Sequence, residues 1–227
     1  EPITKADLET MNELPDGWLW INAGSLIEEP SYGTSRKCSY ESEGYGVLRI
    51  PNVVDEKVDA ADLKFAPFGE FEASQYSLTS GDILMIRSNG SVSIVGRCAL
   101  IRKSDERYLY AGYLIRVRPL VNVVYSPFMV TQLRSHHLRS QIEHAAKSTS
   151  GVNNINAKEI QRLKLATCSL PEQKEIVRRL EIQFEAIEQN EREIDAALER
   201  AEALRQSILK KAFSGQLVEQ DPDDEPA

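Results

Sequence analysis

The spacing of apolar residues divides the chain into two regions. Residues 14–170 alternate short apolar runs with turn signals, whereas residues 171–214 repeat apolar residues mostly at steps of three and four. Short runs bounded by turns predict β-strands, and the longer repeat predicts an amphipathic α-helix. We therefore expect an α+β protein: a mixed, β-rich globular domain followed by a long C-terminal α-helix that pairs as an antiparallel coiled coil.

Within the globular region, four segments predict individual elements. Residues 44–53 predict a strand that Pro51 ends, residues 77–102 predict two strands around a Ser-Asn-Gly turn, and residues 108–120 predict a strand pair or one long strand. Residues 131–147 place apolar side chains at helical spacing and predict one amphipathic helix.

Two local motifs add detail. Trp18 and Trp20 alternate along a predicted strand, so their rings point to the same face and are expected to anchor the core. Asn156 and Glu159 have the spacing of a capping box, in which each side chain binds the other residue's backbone N–H, and they predict a short helix.

The long helix is predicted to start after Ser169 and to end near Gly215. At about 1.5 Å per residue its span would be about 66 Å, which exceeds a domain of this size. Its apolar stripe is therefore expected to meet another long helix, although folding back on its own domain remains an alternative. The residues predicted to pair are Ile176, Leu180, Phe184, Ile187, Ile194, Leu198, Ala201, Leu204 and Ile208.

Charge is distributed unevenly along the chain. The net charge is −8, yet residues 87–170 hold 13 basic and 4 acidic side chains, a net of +9. Residues 1–86 carry a net of −10 and residues 171–227 a net of −7. Phosphate attraction requires a local positive field and not a positive total, so the central block favours nucleic acid. Chance clustering on a solvated surface remains an equal alternative.

Reactive motifs are not evident. The sequence contains neither a GxxxxGK[ST] phosphate loop nor a GxSxG elbow, and its three cysteines lack metal-site or disulfide spacing. We expect no catalytic residue, no metal and no cofactor, with thiols reduced in the cytoplasm. A small nuclease or methyltransferase remains a weaker alternative. No apolar run approaches the roughly 18 residues that span a bilayer.

Four polar stretches carry side chains that match base edges: a loop at 32–37, a turn at 87–91, a helical segment at 133–139 and a loop at 148–154. Arg suits guanine, Asn suits adenine, and Ser or Thr suits either. A solvated loop remains the alternative for each stretch. The candidate DNA-binding residues are Thr34, Ser35, Arg36, Lys37, Arg87, Ser88, Asn89, Ser91, Arg134, His136, Arg139, Asn153 and Asn154.

Several segments together resemble a known family. They are LPDGWLW (14–20), LTSGDILMIRSNGSVSIVGRCALI (78–101), SGVNNINAKEIQRLKL (150–165), LPEQKEIVRRLE (170–181) and ALRQSILKKAFSGQLVEQDPDDEPA (203–227). In this order they resemble the specificity subunit of type I restriction–modification enzymes.

The resemblance implies a non-catalytic subunit with two target recognition domains, each followed by a conserved spacer helix. Each domain would read half of a split site in double-stranded DNA, while methyltransferase (M) and restriction/translocase (R) subunits perform the chemistry. We expect this chain to be the carboxyl-terminal half: a recognition domain at 1–168, a helix at 169–215 and an acidic tail at 216–227. The helix would pair with a second copy, giving a dimer, or with the other half. A coiled-coil scaffold with a protein-binding head is the alternative from another class.

Overall fold

A computed structural model describes four stretches of the chain: residues 3–9, 11–54, 56–146 and 151–218. Its contacts divide the chain into two compact units, residues 1–177 and residues 178–227. Within the described residues, no helix is both long and apolar enough to cross a lipid bilayer.

The first unit contains all of the strands that the structure describes. The strands are β1 (Leu19–Asn22), β2 (Ser31–Tyr32), β3 (Tyr45–Leu48), β4 (Val53–Val54), β5 (Lys57–Val58), β6 (Lys64–Ala66), β7 (Ile83–Ile86), β8 (Ser88–Asn89), β9 (Cys98–Leu100), β10 (Leu109–Tyr110), β11 (Leu114–Val117), β12 (Asn153–Asn154) and β13 (Lys164–Thr167). The helices are α1 (Lys5–Glu9), α2 (Glu70–Gln75), α3 (Ser126–Arg134), α4 (His136–Ala146), α5 (Ala157–Gln161) and α6 (Leu170–Phe213). This mixture, with one long C-terminal helix, confirms the α+β prediction.

A four-stranded antiparallel sheet, in the order β2-β11-β7-β9, forms the centre of the first unit. Strand β7 is buried on both faces, and its successive side chains alternate between two core clusters. Ile83 and Met85 face one cluster, whereas Leu84 and Ile86 face the other. The continuous apolar run in the sequence therefore reflects a strand sandwiched between two cores.

The segment at 108–120 forms two strands that belong to different sheets. Strand β10 pairs in parallel with β3 in a three-stranded sheet, and β11 pairs with β7 and β2 in the central one. Strand β3 ends at Leu48, and a 3₁₀ turn follows at Ile50–Asn52. Pro51 lies outside the strand, as predicted, but the strand already ends at Leu48 because the 3₁₀ turn begins before the proline.

The single helix predicted at 131–147 is wrong, because the structure divides this region into α3 and α4. Ser135 leaves helical geometry (ψ 148°), and its hydroxyl accepts a hydrogen bond from the Leu138 N–H at 3.3 Å. The five-residue gap between the apolar residues Leu133 and Leu138 coincides with this break.

The predicted hairpin at 77–102 is present, but its connection is longer than a tight turn. Strands β7 and β9 pair as expected, while β8 leaves the hairpin and pairs with β12. The capping box at the start of α5 is confirmed, since the Glu159 N–H donates to Asn156 Oδ1 at 3.1 Å and the Asn156 N–H donates to Glu159 Oε2 at 2.7 Å.

Helix α6 starts directly after Ser169, as predicted, and ends at Phe213, two residues before the predicted stop at Gly215. Gly215 has a left-handed φ of 70°, and the Gln216 N–H donates to the Lys211 carbonyl at 2.8 Å. This is the hydrogen bond of a Schellman cap, which favours glycine at this position.

Candidate nucleic-acid interface

An open groove with a volume of about 1410 Å³ crosses the first unit. Its walls come from the segment after β2, the turn between β10 and β11, and the β8–β12 ribbon. Its lining includes Thr34, Ser35, Arg36, Lys37, Arg49, Lys64, Arg87, Ser88, Tyr113, Asn154 and Glu159. The groove therefore collects side chains from three of the four polar stretches singled out in the sequence.

The groove is strongly basic. Five of its lining residues are Arg or Lys, and among the lining residues that the structure describes Glu159 alone is acidic. The Glu159 carboxylate is already bound to the backbone N–H of Asn156 at the start of α5. Two of the five cations form ion pairs with carboxylates outside the lining, and the remaining excess of positive charge on a concave surface attracts an anion such as a phosphodiester backbone.

Arg87 lies in the wall of the groove in a fixed orientation. Its guanidinium stacks 4.8 Å from the centre of the Tyr32 ring, and its Nη1 donates to the Gly112 carbonyl at 3.0 Å. The Tyr32 hydroxyl in turn accepts a hydrogen bond from the Ala157 N–H at 3.0 Å. The Arg87 Nε is buried and has no hydrogen-bond partner in the part of the chain that the structure describes.

The loop after β2 enters the groove by a close backbone approach. A Cβ atom on Gly33 would lie 2.3 Å from the Ala111 carbonyl oxygen, so only glycine fits there. Thr34 is buried, and its hydroxyl accepts from the Arg36 N–H at 3.1 Å. Ser35 and Lys37 are exposed. Thr34 thus shapes the loop, while its two exposed neighbours face solvent.

Arg36 is held by the protein itself. Its Nη2 contacts both oxygens of Glu72, at 2.7 and 2.8 Å, and its guanidinium lies 4.9 Å from the centre of the Phe68 ring. A ligand that used Arg36 would compete with this carboxylate.

The β8–β12 ribbon brings two distant polar stretches together. Asn89 lies opposite Asn153, and Ser88 opposite Asn154. Asn89 accepts from the Ser91 N–H at 2.9 Å, and the Asn153 side chain donates to Gly90 at 2.9 Å, so both amides brace the turn. Asn154 is exposed in the groove wall. Residues 148–150 of the predicted loop lie outside the described residues.

The candidate DNA-binding residues of α3 and α4 lie outside the groove. Arg134 forms an ion pair with Glu56, and Arg139 donates to the Val95 carbonyl at 2.8 Å and pairs with Glu143 at 3.1 Å. Arg134 and Arg139 line a separate cavity of about 480 Å³, and the exposed His136 begins α4. The structure does not bring these three residues into the groove.

The predicted helix-pairing residues divide into two groups. Ile176 is partly buried against the core of the first unit, and Leu180 is partly buried. The remaining apolar members are exposed, with relative exposures of 44% for Phe184, 51% for Ile187, 58% for Ile194, 63% for Leu198, 62% for Leu204 and 45% for Ile208. Ala201 is also exposed.

A comparison with models of protein families shows which family the chain belongs to. The family described as the type I restriction modification DNA specificity domain matches residues 31–200, which span most of the first unit and more than two thirds of α6. The chain belongs to this family.

Curated relatives carry the same family description. The chain is 35% identical over 201 residues to the type I restriction enzyme EcoKI specificity subunit of Escherichia coli K12, covering 88% of this chain and 43% of that subunit. It is 30% identical over 204 residues to the StySPI specificity subunit of Salmonella potsdam, covering 90% and 44%. The chain thus spans somewhat less than half the length of these relatives.

Solved structures show the same fold. A structure described as the basis of complex assembly and conformational transition of the type I R-M system gives a TM-score of 0.66 at 22% identity, covering 92% of this chain and 48% of that one. The HsdS subunit from Thermoanaerobacter tengcongensis gives a TM-score of 0.63 at 15% identity, covering 96% and 54%. Likeness at this identity concerns the fold alone.

Arg49 and Lys64 are basic residues of the specificity domain's groove that the sequence analysis missed. Arg49 donates to the Asp62 carbonyl at 3.0 Å and to its carboxylate at 3.1 Å, and Lys64 lies 4.7 Å from the centre of the Tyr40 ring. The Tyr40 hydroxyl donates to Asp62 and lowers the pKa of that carboxyl, which Arg49 lowers further. Both basic residues lie at strand ends within residues 1–86, which carry a net negative charge. The net charge of that segment therefore did not indicate a basic site there.

The described part of the specificity domain contains no cluster of three or more His, Cys, Asp or Glu side chains that could hold a metal ion. Cys38 lines the groove, and burial raises the pKa of its thiol. Cys98 is buried outside the groove, and burial raises its pKa to about 12.

Proposed function

We propose that this chain recognises one half of a split DNA site as a non-catalytic component of a type I restriction–modification enzyme. Its first unit reads the half-site, and the exposed stripe of α6 pairs with a second copy or with the other half of a specificity subunit. The paired helices would scaffold the M and R subunits, which carry out methylation and cleavage. The observation that carries the proposal is the basic groove, in a chain that belongs to the specificity domain family.

The groove residues divide into those assigned to base contacts and those assigned to phosphate contacts. The two-stranded β8–β12 ribbon has the form of an element that fits the major groove of B-DNA, where Asn pairs with adenine and Arg with guanine. We assign base contacts to Arg87 and Asn154, because Arg87 is pre-oriented by Tyr32 and Asn154 is exposed in the groove wall. Lys37 and Lys64 are assigned to phosphates, since a flexible ammonium acts as a point charge.

Selection from randomised duplexes tests this function. The chain, assembled with a methyltransferase subunit, should enrich one split sequence with a fixed gap. The Arg87→Ala variant should lose the preference at one position and keep the others. Enrichment of no sequence, with affinity independent of salt, would instead favour the protein-binding head, because phosphate contacts require a steep salt dependence. Methylation or cleavage by the chain alone would contradict the non-catalytic role.

A further inference from the structure

The five cations of the groove differ in what holds them. Arg36 and Arg49 contact carboxylates, whereas Arg87, Lys37 and Lys64 form no ion pair with any residue that the structure describes. Arg87 is held by an aromatic ring and a carbonyl, both uncharged. Because neutral partners leave a positive charge uncompensated, these three side chains supply most of the attraction for phosphate, and the two paired guanidiniums add little to it.

Of the two paired guanidiniums, that of Arg36 is the more accessible to a ligand. Its side chain is 41% exposed, against 23% for Arg49. Arg49 also donates to the Asp62 backbone carbonyl at 3.0 Å, and its Nε is buried, so this side chain is part of the protein framework. Arg36 lies over the Phe68 ring, and its Nη2 alone contacts both Glu72 oxygens, at 2.7 and 2.8 Å. The Glu72 carboxylate therefore determines how much of the Arg36 charge is available to a ligand.

The Arg36–Glu72 ion pair contributes little to the stability of the fold. The two side chains are 41% and 37% exposed, and exposed ion pairs are screened by water and salt. The loop that carries Arg36 has other supports, since the Thr34 hydroxyl accepts its N–H at 3.1 Å and Gly33 packs against the Ala111 backbone. The main consequence of the pair is therefore for the charge that the groove presents to DNA.

We propose that Glu72 is a specificity-determining residue, which keeps Arg36 paired within the protein and so limits the affinity of the groove for non-cognate duplexes. This inference rests on the proposed function. Non-cognate duplexes bind almost entirely through phosphates, and they can slide or tilt to meet any free cation. A cognate duplex is held in one register by its base contacts, so it would gain less from a freed Arg36. Glu72 thus weakens an attraction that carries no sequence information and leaves the base contacts unchanged.

Removal of one negative charge tests this role. Glu72→Gln leaves an amide beside Arg36 and frees the guanidinium charge. Fluorescence anisotropy measures duplex affinity over a salt series for the chain assembled with a methyltransferase subunit, as in the selection. Affinity for a random-sequence duplex should rise at least about threefold, and its logarithmic salt slope should become steeper by about 0.9, the value for one added phosphate contact. Affinity for the selected cognate duplex should rise less than about twofold. The melting temperature should change by less than about 3 °C.

Two further variants show whether the effect acts through Arg36. Glu70→Gln removes the same charge from the first turn of α2, at an exposed side chain that forms no ion pair with any described residue. It should change the non-cognate affinity by less than about 1.5-fold, because its charge is screened by salt. Adding Arg36→Ala to Glu72→Gln should return both the affinity and the salt slope to those of the parent. The coupling between these two substitutions measures the contribution of the freed guanidinium.

Three results would overturn the inference and leave the proposed function standing, because in each of them the parent still binds duplexes. They are a non-cognate gain from Glu72→Gln no larger than that from Glu70→Gln, a gain that survives Arg36→Ala, and an equal rise for cognate and non-cognate duplexes. A parent that binds no duplex at any salt concentration would overturn the proposed function, and this inference with it.

Discussion

The two units use their apolar side chains in opposite ways. In residues 1–177 the apolar runs end in buried clusters, with Leu84 and Ile115 completely enclosed. Beyond residue 178 the apolar stripe of α6 stays exposed, with Leu198 and Leu204 more than 60% accessible. The same kind of sequence pattern thus completes a core in one unit and leaves an open surface in the other. We infer that the first unit folds on its own contacts, whereas the helix requires a partner.

The largest expected effect is on self-association, from a substitution in the apolar stripe of α6. Leu198→Asp places a charge in the proposed seam of both copies, and burying each leucine contributes roughly 1.5–3 kcal/mol, so the dissociation constant should rise by more than roughly 100-fold. Sedimentation over a concentration series measures it, with circular dichroism to show an intact first unit. Ser207→Asp adds the same charge at an exposed position off the stripe and should change little. Parent protein that sediments as a clean monomer at high micromolar concentration would contradict the seam.

The next largest expected effects are on DNA binding, from substitutions of groove residues. Arg87→Ala should cost roughly 1–3 kcal/mol on the cognate half-site and relax base preference at one position. Lys37→Ala should weaken all duplexes similarly, because a phosphate contact carries no sequence information. Lys103→Ala removes an equal charge from a residue that is not part of the groove lining and serves as the control. Identical profiles for Arg87→Ala and Lys37→Ala would refute the division between base and phosphate contacts.

The basic residues of α3 and α4 give a smaller, structural effect. Arg139 binds the Val95 carbonyl and Glu143, so Arg139→Ala should lower the free energy of unfolding by about 1 kcal/mol. The DNA affinity of this variant should stay within about twofold of the parent. Urea unfolding measures the loss of stability, and fluorescence anisotropy measures the DNA affinity. A tenfold loss of affinity at full stability would extend the interface to this side of the first unit.

The smallest effect is a pH dependence at the N-terminal helix. Lys164 and the backbone of Thr4 hold the pKa of Asp7 at about 2, below the ordinary value of about 3.9. The folded state binds this proton less readily, so the stabilisation is present above pH 4 and is lost as the pH falls towards 2. The difference in melting temperature between the parent and Asp7→Asn should therefore shrink over that range. A constant difference would show that the ion pair does not contribute.

Local patterns predicted much of this architecture, and non-local pairing accounts for the rest. The three-four repeat located α6, and the spacing of Asn156 and Glu159 located α5, because both depend on neighbours in sequence. The pairing of β8 with β12 joins segments more than sixty residues apart, which no local pattern specifies. Counting charges by segment likewise assigned Arg49 to an acidic block, although the fold places it in the basic groove.

A salt titration measures most directly whether the groove binds DNA. The logarithm of the duplex affinity should fall linearly with the logarithm of salt concentration, with a slope near −0.9 for each phosphate contacted. Replacing both Lys37 and Lys64 by Ala should make the slope shallower by about 2, while Lys103→Ala leaves it unchanged. An affinity indifferent to salt, or a slope that the double variant does not alter, would contradict DNA binding through this groove.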